Sequence, residues 1–323
     1  MNQQSDVSAF PLEVTGGDAV CCDLCGSQER KFLASVVDGS YFTCDGCGLV
    51  YSIADENSLS TFYDHSYYAP GARTRYASRV TNGAADDPKW SRRWHRKTAE
   101  RLASFESHRQ NGTFLEIGCS LGDFLNVVDH ASWDAVGIEI SEAAASYARN
   151  KWGLDVRTGT LEAVVPQLKP ESFDVIWAAN LLEHVVSPSE FLADVDKLLR
   201  PGGVLIASTL NFDSWAFQFS GGEWEYLHSA KEHRFVFSPS LLERYCANSN
   251  LELEEIDTTG FRWISKTQKK RWYSSLVRVF EQGVSNLARL ADQGHRVQFM
   301  ARKPHVVAVS QSNDEPAPMS RAA

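Results

Sequence analysis

The sequence predicts an α/β protein in which helices cover both faces of a parallel sheet, preceded by a small cysteine-rich module. Short apolar runs alternate with helical patterns from Thr113 onward, which is typical of such sheets. Two Cys-x-x-Cys pairs lie near the start of the chain. The 323 residues suffice for one domain of this kind with a small appendage.

Five apolar segments are predicted to be parallel strands because each is short and is followed by a helical pattern. The predicted strands are 113–117, 135–139, 155–158, 173–178 and 203–209, and the predicted helices between them are 123–130, 142–151, 161–168 and 188–199. Pro201-Gly202-Gly203 is interpreted as a turn after the last of these helices. Two later segments, 252–257 and 295–301, are expected to pair antiparallel at one edge of the sheet.

Composition divides the chain into five parts. Residues 1–19 and 306–323 are polar and are expected to be disordered, and 20–52 form the cysteine module. Residues 53–110 are interpreted as a helical cap or linker. The remaining domain, 111–305, includes a helical stretch at about 266–292 that we interpret as a lid or as the contact of a homodimer.

Positive charge is concentrated although the formal net charge is −9. Between Arg73 and Arg109 there are ten lysines and arginines against four acids, and a second basic run begins at Arg262. These runs are either solvated faces or binding surfaces for an anionic substrate.

The sequence favours a cytoplasmic protein. It contains no run of about 18 apolar residues, and its start lacks the pattern of a signal peptide. Because the cysteine count is seven and no secretion signal is seen, disulfides are not expected.

The two cysteine pairs have the form of a structural zinc site. Cys22-Asp-Leu-Cys25-Gly and Cys44-Asp-Gly-Cys47-Gly are two equivalent knuckles, and four thiolates complete a tetrahedral zinc shell. A redox role for one pair is the weaker interpretation because both pairs have the same form. Cys21 is an alternative first ligand, although its spacing to Cys25 differs from that of the second knuckle.

A strand, a glycine-containing turn and a helix start occupy Phe114 to Phe124. Glycines at 118 and 122 allow the backbone to approach a ligand closely, and the amides at the start of a helix can meet polar groups. Glu139 ends the next predicted strand, where a carboxylate can accept hydrogen bonds from ribose hydroxyls. Together these features predict a site for a nucleoside cofactor.

These motifs resemble those of class I S-adenosylmethionine (SAM)-dependent methyltransferases. The resemblance rests on Glu116-x-Gly118-x-x-x-Gly122, on Glu139, and on Phe173-Asp-Val-Ile followed by Leu182-Glu-His-Val, and it covers about residues 113–260. It implies a seven-stranded Rossmann-like sheet and SAM as cofactor. The residues expected to bind SAM are Glu116, Gly118, Cys119, Ser120, Gly122, Glu139, Ile140, Thr160, Leu161, Asn180 and Tyr68.

Two of these positions depart from the family pattern. Ser120 replaces the middle glycine of the loop, and Thr160 stands where many members place an acid that faces the adenine amine. The contact with the adenine is therefore not assigned.

The zinc knuckles, Tyr63-x-x-x-Tyr67-Tyr68 and Glu232-His233-Arg-Phe resemble a subgroup with N-terminal zinc modules that includes deoxysugar C-methyltransferases. This resemblance implies a small anionic acceptor such as a nucleotide-linked sugar. His184 follows the fourth strand and is the candidate general base, because imidazole titrates near neutral pH. Tyr226, His228 and His233 are candidate substrate contacts, and packing is the competing interpretation.

Two other functions fit parts of the sequence. One is an RNA methyltransferase that grips RNA with the zinc module and the basic 73–109 stretch, although residues 20–52 carry more acids than bases. The other is a non-catalytic SAM-binding scaffold.

Overall fold

The computed structural model describes residues 20–53, 88–131, 133–260 and 275–305, and side chains within these ranges except in 88–95, at His130 and in 275–282. Tyr63, Tyr67, Tyr68, the predicted disordered ends and most of the predicted 53–110 cap lie outside the described residues.

A seven-stranded sheet forms the centre of the protein, as the sequence predicts, in the order β10-β11-β8-β7-β4-β5-β6. The five strands from β8 to β6 are parallel, whereas β11 and β10 pair antiparallel at one edge. The strands are β4 (Thr113–Ile117), β5 (Asp134–Glu139), β6 (Asp155–Thr158), β7 (Phe173–Ala179), β8 (Leu199–Leu210), β10 (Glu252–Thr259) and β11 (Arg296–Arg302).

Successive side chains of the central strands pack alternately into two separate apolar clusters. Leu115, Ile176 and Leu205 belong to one cluster, while their chain neighbours Phe114 and Val175 belong to the other. Because successive strand residues point to opposite faces, both faces of these strands are covered. The near-continuous apolar runs seen in the sequence are the result.

Helices lie between the strands at the predicted places. Two of them begin with a serine that accepts a hydrogen bond from the backbone and a proline just after it, at Ser187 and Ser238. The described helices are α1 (Pro88–Glu106), α2 (Asp123–His130), α3 (Glu142–Trp152), α4 (Leu161–Val164), α5 (Pro188–Leu198), α6 (Trp215–Ser220), α7 (Pro239–Asn248) and α8 (Ser275–Leu290). None of the described helices is long and apolar enough to cross a membrane.

Two local expectations were wrong. The predicted helix 161–168 is split into α4 and a 3-10 turn at Val165–Gln167, because Pro166 cannot continue the α-helical hydrogen bonds. The predicted turn at Pro201–Gly203 is instead part of β8. Gly202 adopts a φ of 79°, and a Cβ on Gly203 would lie 2.8 Å from the carbonyl oxygen of Phe173. Glycine therefore lets the chain bend while it stays against β7.

The N-terminal module forms a second sheet with a strand from the other half of the chain. Its strands β1 (Arg30–Val36), β2 (Gly39–Cys44) and β3 (Val50–Ile53) are antiparallel, and β3 pairs with β9 (Phe235–Val236). The Asp23 carboxylate also accepts hydrogen bonds from the Ser187 hydroxyl at 2.6 Å and from the Ser189 amide at 3.0 Å. The module is thereby fixed both to β9 and to the start of α5.

Asp174 is a fully buried carboxylate that organises the entry into β4. Its Oδ2 accepts hydrogen bonds from four consecutive backbone amides, Gln110 to Thr113, and its Oδ1 lies 2.6 Å from Nε of Arg200. The ion pair is therefore buried and extensively hydrogen-bonded.

We expect Asp174→Ala to lower the free energy of unfolding by about 3–5 kcal/mol, because it leaves the largely buried Arg200 without a carboxylate partner and four backbone amides without their acceptor. Urea denaturation measures this change. Asp155→Ala is the matched control, since its ion pair with Arg157 is about half exposed and should contribute at most about 1 kcal/mol. Equal losses in the two variants would contradict the buried ion pair's importance.

Candidate functional site

A cavity of about 290 Å³ opens at the carboxyl ends of β4, β5 and β7. Ligands of open α/β sheets bind at this edge, where the strand order changes direction. Eight of the predicted site residues line the cavity: Gly118, Ser120, Glu139, Ile140, Thr160, Leu161, Asn180 and His184.

The loop after β4 bends through residues with positive φ. Gly118 has a φ of 74° and Ser120 a φ of 53°, so a serine takes a conformation that usually favours glycine. The Gly118 amide donates to the carbonyl of Ile138 at 2.8 Å. This bond fixes the loop against the end of β5, next to Glu139.

Glu139 is held by two backbone amides at the cavity wall. Its Oε2 accepts a hydrogen bond from Ser120 N at 2.8 Å, and its Oε1 accepts one from Ser141 N at 3.0 Å. Each carboxylate oxygen can accept more than one hydrogen bond. The carboxylate is thus oriented so that it could also accept bonds from two neighbouring hydroxyls of a ribose.

Three expected cofactor contacts do not line the cavity. Glu116 points to the opposite face of β4, where burial raises the pKa of its carboxyl well above the ordinary value and Arg101 opposes that shift. Cys119 is buried against Gly137, and burial also raises the pKa of its thiol. A Cβ on Gly122 would lie 2.8 Å from Ala148, so this glycine serves helix packing.

His184 stands at the cavity with one ring nitrogen fixed. Its Nδ1 lies 2.6 Å from the carbonyl oxygen of Glu232, and a carbonyl only accepts, so Nδ1 carries the proton. In the neutral ring Nε2 is then the acceptor. Burial lowers the pKa of His184 below its ordinary value, which keeps the ring neutral at pH 7.

Tyr226 and His233 form a layer behind His184 and do not line the cavity. The rings of His184 and His233 are 5.0 Å apart, and His233 Nδ1 donates to the carbonyl of Tyr226 at 2.6 Å. Burial, with His184 nearby, lowers the pKa of His233 to about 4. The Tyr226 hydroxyl lies 3.3 Å from Nε2 of His295.

The cavity wall contains acids that the sequence analysis did not select. Glu162 and Glu232 line it together with Glu139, and the described lining includes no lysine or arginine. Burial would raise the pKa of Glu232, but a hydrogen bond from His228 lowers it below the ordinary value. Glu232 directly precedes the selected His233, so its place in the same motif was the available signal.

The two cysteine knuckles come together in space. The Sγ atoms of Cys22, Cys25, Cys44 and Cys47 all lie within 4.8 Å of one another, with Cys22 to Cys47 and Cys25 to Cys44 at 3.5 Å. Such a cluster of four thiols suits a tetrahedral metal ion. Cys21 is exposed and is not part of this cluster.

Comparisons with known proteins identify the family of the chain. The model of the family described as "Methyltransferase domain" matches residues 89–256. A ubiquinone biosynthesis O-methyltransferase of Nitrosococcus oceani is 31% identical over 167 residues, which cover 49% of this chain and 70% of that protein. A probable S-adenosylmethionine-dependent methyltransferase of Mycolicibacterium smegmatis is 32% identical over 144 residues, which cover 44% and 53% of the two chains.

One chain in the solved complex of the Haloferax volcanii Trm112 methyltransferase activator with a methyltransferase has a similar fold, with a TM-score of 0.50. The two chains are 16% identical, and the match covers 72% of this chain and 100% of the chain in the complex. The family model covers more than half of the chain, and its match includes the loop after β4, Glu139 and His184. The chain therefore belongs to the methyltransferase-domain family and is a class I SAM-dependent methyltransferase.

Proposed function

We propose that the protein transfers the methyl group of SAM to a hydroxyl oxygen of a small molecule, with His184 as general base. The observation that carries this proposal is the hydrogen bond from His184 Nδ1 to the Glu232 carbonyl, which leaves Nε2 as the proton acceptor. Relatives named ubiquinone biosynthesis O-methyltransferase support oxygen as the methylated atom.

SAM binds along the edge formed by the ends of β4 and β5. Glu139 accepts hydrogen bonds from the ribose hydroxyls, while Gly118 and Ser120 let the backbone approach the cofactor. When bound, SAM supplies an electrophilic methyl group for in-line displacement. The proposed SAM contacts therefore exclude the side chains of Glu116 and Cys119.

His184 removes the proton of the acceptor hydroxyl as the oxygen–carbon bond forms. The hydroxyl O–H bond breaks, its proton moves to Nε2 of His184, and the methyl–sulfur bond breaks to leave S-adenosylhomocysteine. General base catalysis of this kind contributes about 10²–10⁴-fold to a rate.

The acceptor is a small biosynthetic intermediate, and a nucleotide-linked sugar is the anionic class to test first. Glu162 and Glu232 in the described wall favour hydroxyl groups rather than phosphates at the reacting end. An anionic portion would have to reach the basic runs, and most of the lysine and arginine side chains of these runs are outside the described part of the structure.

The cysteine cluster binds one Zn²⁺ in a closed shell of four thiolates, with Cys22 as the first ligand. The mutual closeness of the four Sγ atoms supports this ligand set. Such a closed site is structural and leaves no open position for substrate. Residues 20–52 then form the zinc module, which precedes the methyltransferase domain.

An RNA substrate is less well supported. In the described part of the first basic run, Arg101 lies over the ring of Trp177, and Arg109 lies over Trp133 and pairs with Glu106. These two arginines are engaged within the protein. Binding of RNA with a steep salt dependence would favour an RNA methyltransferase instead.

We expect His184→Ala to lower kcat by about 10²–10⁴-fold while the Kd for SAM stays unchanged. The assay screens nucleotide sugars, phenolics and acyl carriers, and calorimetry measures SAM binding. In the wild type, activity should persist to more acidic pH than an ordinary histidine base would allow, because the base must be neutral and burial lowers the pKa of His184. His305→Ala, outside the cavity lining, is the control. Undiminished kcat in His184→Ala would instead favour another base.

Glu139→Ala should weaken SAM binding by about 10–100-fold, because hydrogen bonds to a charged carboxylate are lost. Isothermal titration calorimetry measures the Kd, and thermal denaturation checks the fold because Glu139 also accepts two backbone bonds. Glu142→Ala removes a neighbouring exposed carboxylate outside the cavity lining and should leave the Kd unchanged. An unchanged Kd in Glu139→Ala would refute the assigned ribose contact.

Cys44→Ser should abolish stoichiometric zinc binding, since three thiolates hold the ion much less tightly than four. Elemental analysis of the purified protein gives the metal content per chain. Cys21→Ser is the matched control and should retain one zinc, as the wild type does. One zinc per chain in Cys44→Ser would contradict the ligand set.

A further inference from the structure

We propose that Tyr41, a residue of the N-terminal module, is a positioning residue that orients His184 by holding the backbone of residues 229–234. We call this segment the 229–234 loop. The inference rests on the proposed role of His184 as a base and adds that the module acts on the catalytic site.

The orientation of His184 depends on the loop backbone. The Glu232 carbonyl oxygen lies 2.6 Å from Nδ1 of His184 and selects the ring form in which Nε2 is the acceptor. If that carbonyl moved away, the ring of His184 would lose the hydrogen bond that keeps the proton on Nδ1. Whatever fixes the backbone around Glu232 therefore fixes the ring.

Tyr41 reaches both sides of Glu232 along the loop. Its hydroxyl lies 2.8 Å from the carbonyl oxygen of Ser229 and 2.8 Å from that of His233, so the phenol proton bridges two loop carbonyls. Tyr41 is fully buried, and this burial raises its pKa, so the hydroxyl stays protonated and donates. Removal of this hydroxyl would leave two loop carbonyls without their buried donor, which is costly.

Further contacts from the module converge on the same loop. The Asp38 carboxylate accepts hydrogen bonds from the Ser229 hydroxyl at 2.6 Å and from the Ala230 amide at 2.8 Å. The Ser52 hydroxyl donates to the Ala230 carbonyl at 2.6 Å. A Cβ on Gly39 would lie 2.8 Å from the Cβ of Ala230, so the β1–β2 turn packs directly on the loop.

The loop is also bound on its other side by Glu183, which belongs to the methyltransferase domain. The backbone carbonyl of Glu183 accepts hydrogen bonds from Arg234 N at 2.7 Å and from Phe235 N at 3.2 Å. The loop is thus fixed between the module and the segment that carries His184. Removing the Tyr41 hydroxyl weakens one side of this arrangement and leaves Glu183 in place.

The orientation of His184 can be measured without any substrate. Long-range ¹H–¹⁵N NMR spectra distinguish the Nδ1–H and Nε2–H forms of a neutral imidazole. We expect the wild type to hold His184 as Nδ1–H and Tyr41→Phe to move the ratio toward Nε2–H by roughly fivefold or more, the factor that one typical hydrogen bond contributes.

The same spectra report the titration of His184. Its bond to the Glu232 carbonyl favours the charged ring, so weakening that bond lowers the pKa of His184 further. The charged or titratable side chains near this ring are Glu183, Glu232 and His233. All three remain in Tyr41→Phe, so the downward shift reports the loop.

Tyr147→Phe, which removes a tyrosine hydroxyl from α3, is the matched control and should leave both measurements unchanged. The amide spectrum and the zinc content verify that each variant is folded. If Tyr41→Phe fails to fold, Asp38→Asn and Ser52→Ala test the same loop with smaller changes and should shift the ratio in the same direction.

A folded Tyr41→Phe that keeps the wild-type tautomer ratio and pKa would overturn the inference. The proposed function fails separately, if His184→Ala retains its kcat. With an acceptor in hand, Tyr41→Phe alone should lower kcat about fivefold. Added to His184→Ala, the same substitution should cause no further loss of kcat. Additive losses would contradict an action through His184.

Discussion

The pairing of β3 with β9 joins the three strands of the N-terminal module to a strand from the later half of the chain. Only two residue pairs define it, Val50 with Val236 and Tyr51 with Phe235, yet it connects segments from distant parts of the chain. β9 follows the 229–234 loop in the chain, and Tyr41 and Asp38 of the module bind that loop directly. Together with the hydrogen bonds of Asp23 and Tyr41, this short antiparallel contact holds the cysteine cluster and the residues around His184 in one arrangement.

Burial sets the protonation of the histidines near the cavity, and the residue type alone does not determine it. His184 and His233 both lose water on folding, and their pKa values fall, whereas the exposed His228 gains a partner in Glu232 and its pKa rises. One histidine cluster thus contains neutral rings and a ring that more readily carries charge. A desolvated neutral imidazole is suited to accept a proton near neutral pH.

The sequence was sufficient for the seven-stranded sheet because its signals were local. Strand periodicity, helical periodicity and the glycine-containing turn from Gly118 to Gly122 each act within a few residues, whereas the pairing of β3 with β9 joins distant segments and was not predicted. The side chain of Glu116 was assigned to the cofactor because it belongs to the motif, but strand alternation points it to the other face of β4. Glu232 was overlooked because its carbonyl meets His184 across 48 residues of chain. A contact between residues this far apart in the chain produces no periodic pattern in the sequence.

The module cannot be regarded as an independent attachment. Its third strand would present an unpaired edge if the chain were divided after residue 53, and such an edge invites pairing with other chains. The contact of Gly39 with Ala230 further ties a turn of the module to one loop of the domain. Changes on either side of this boundary must therefore be accommodated by the other, so the two parts are constrained to diversify together.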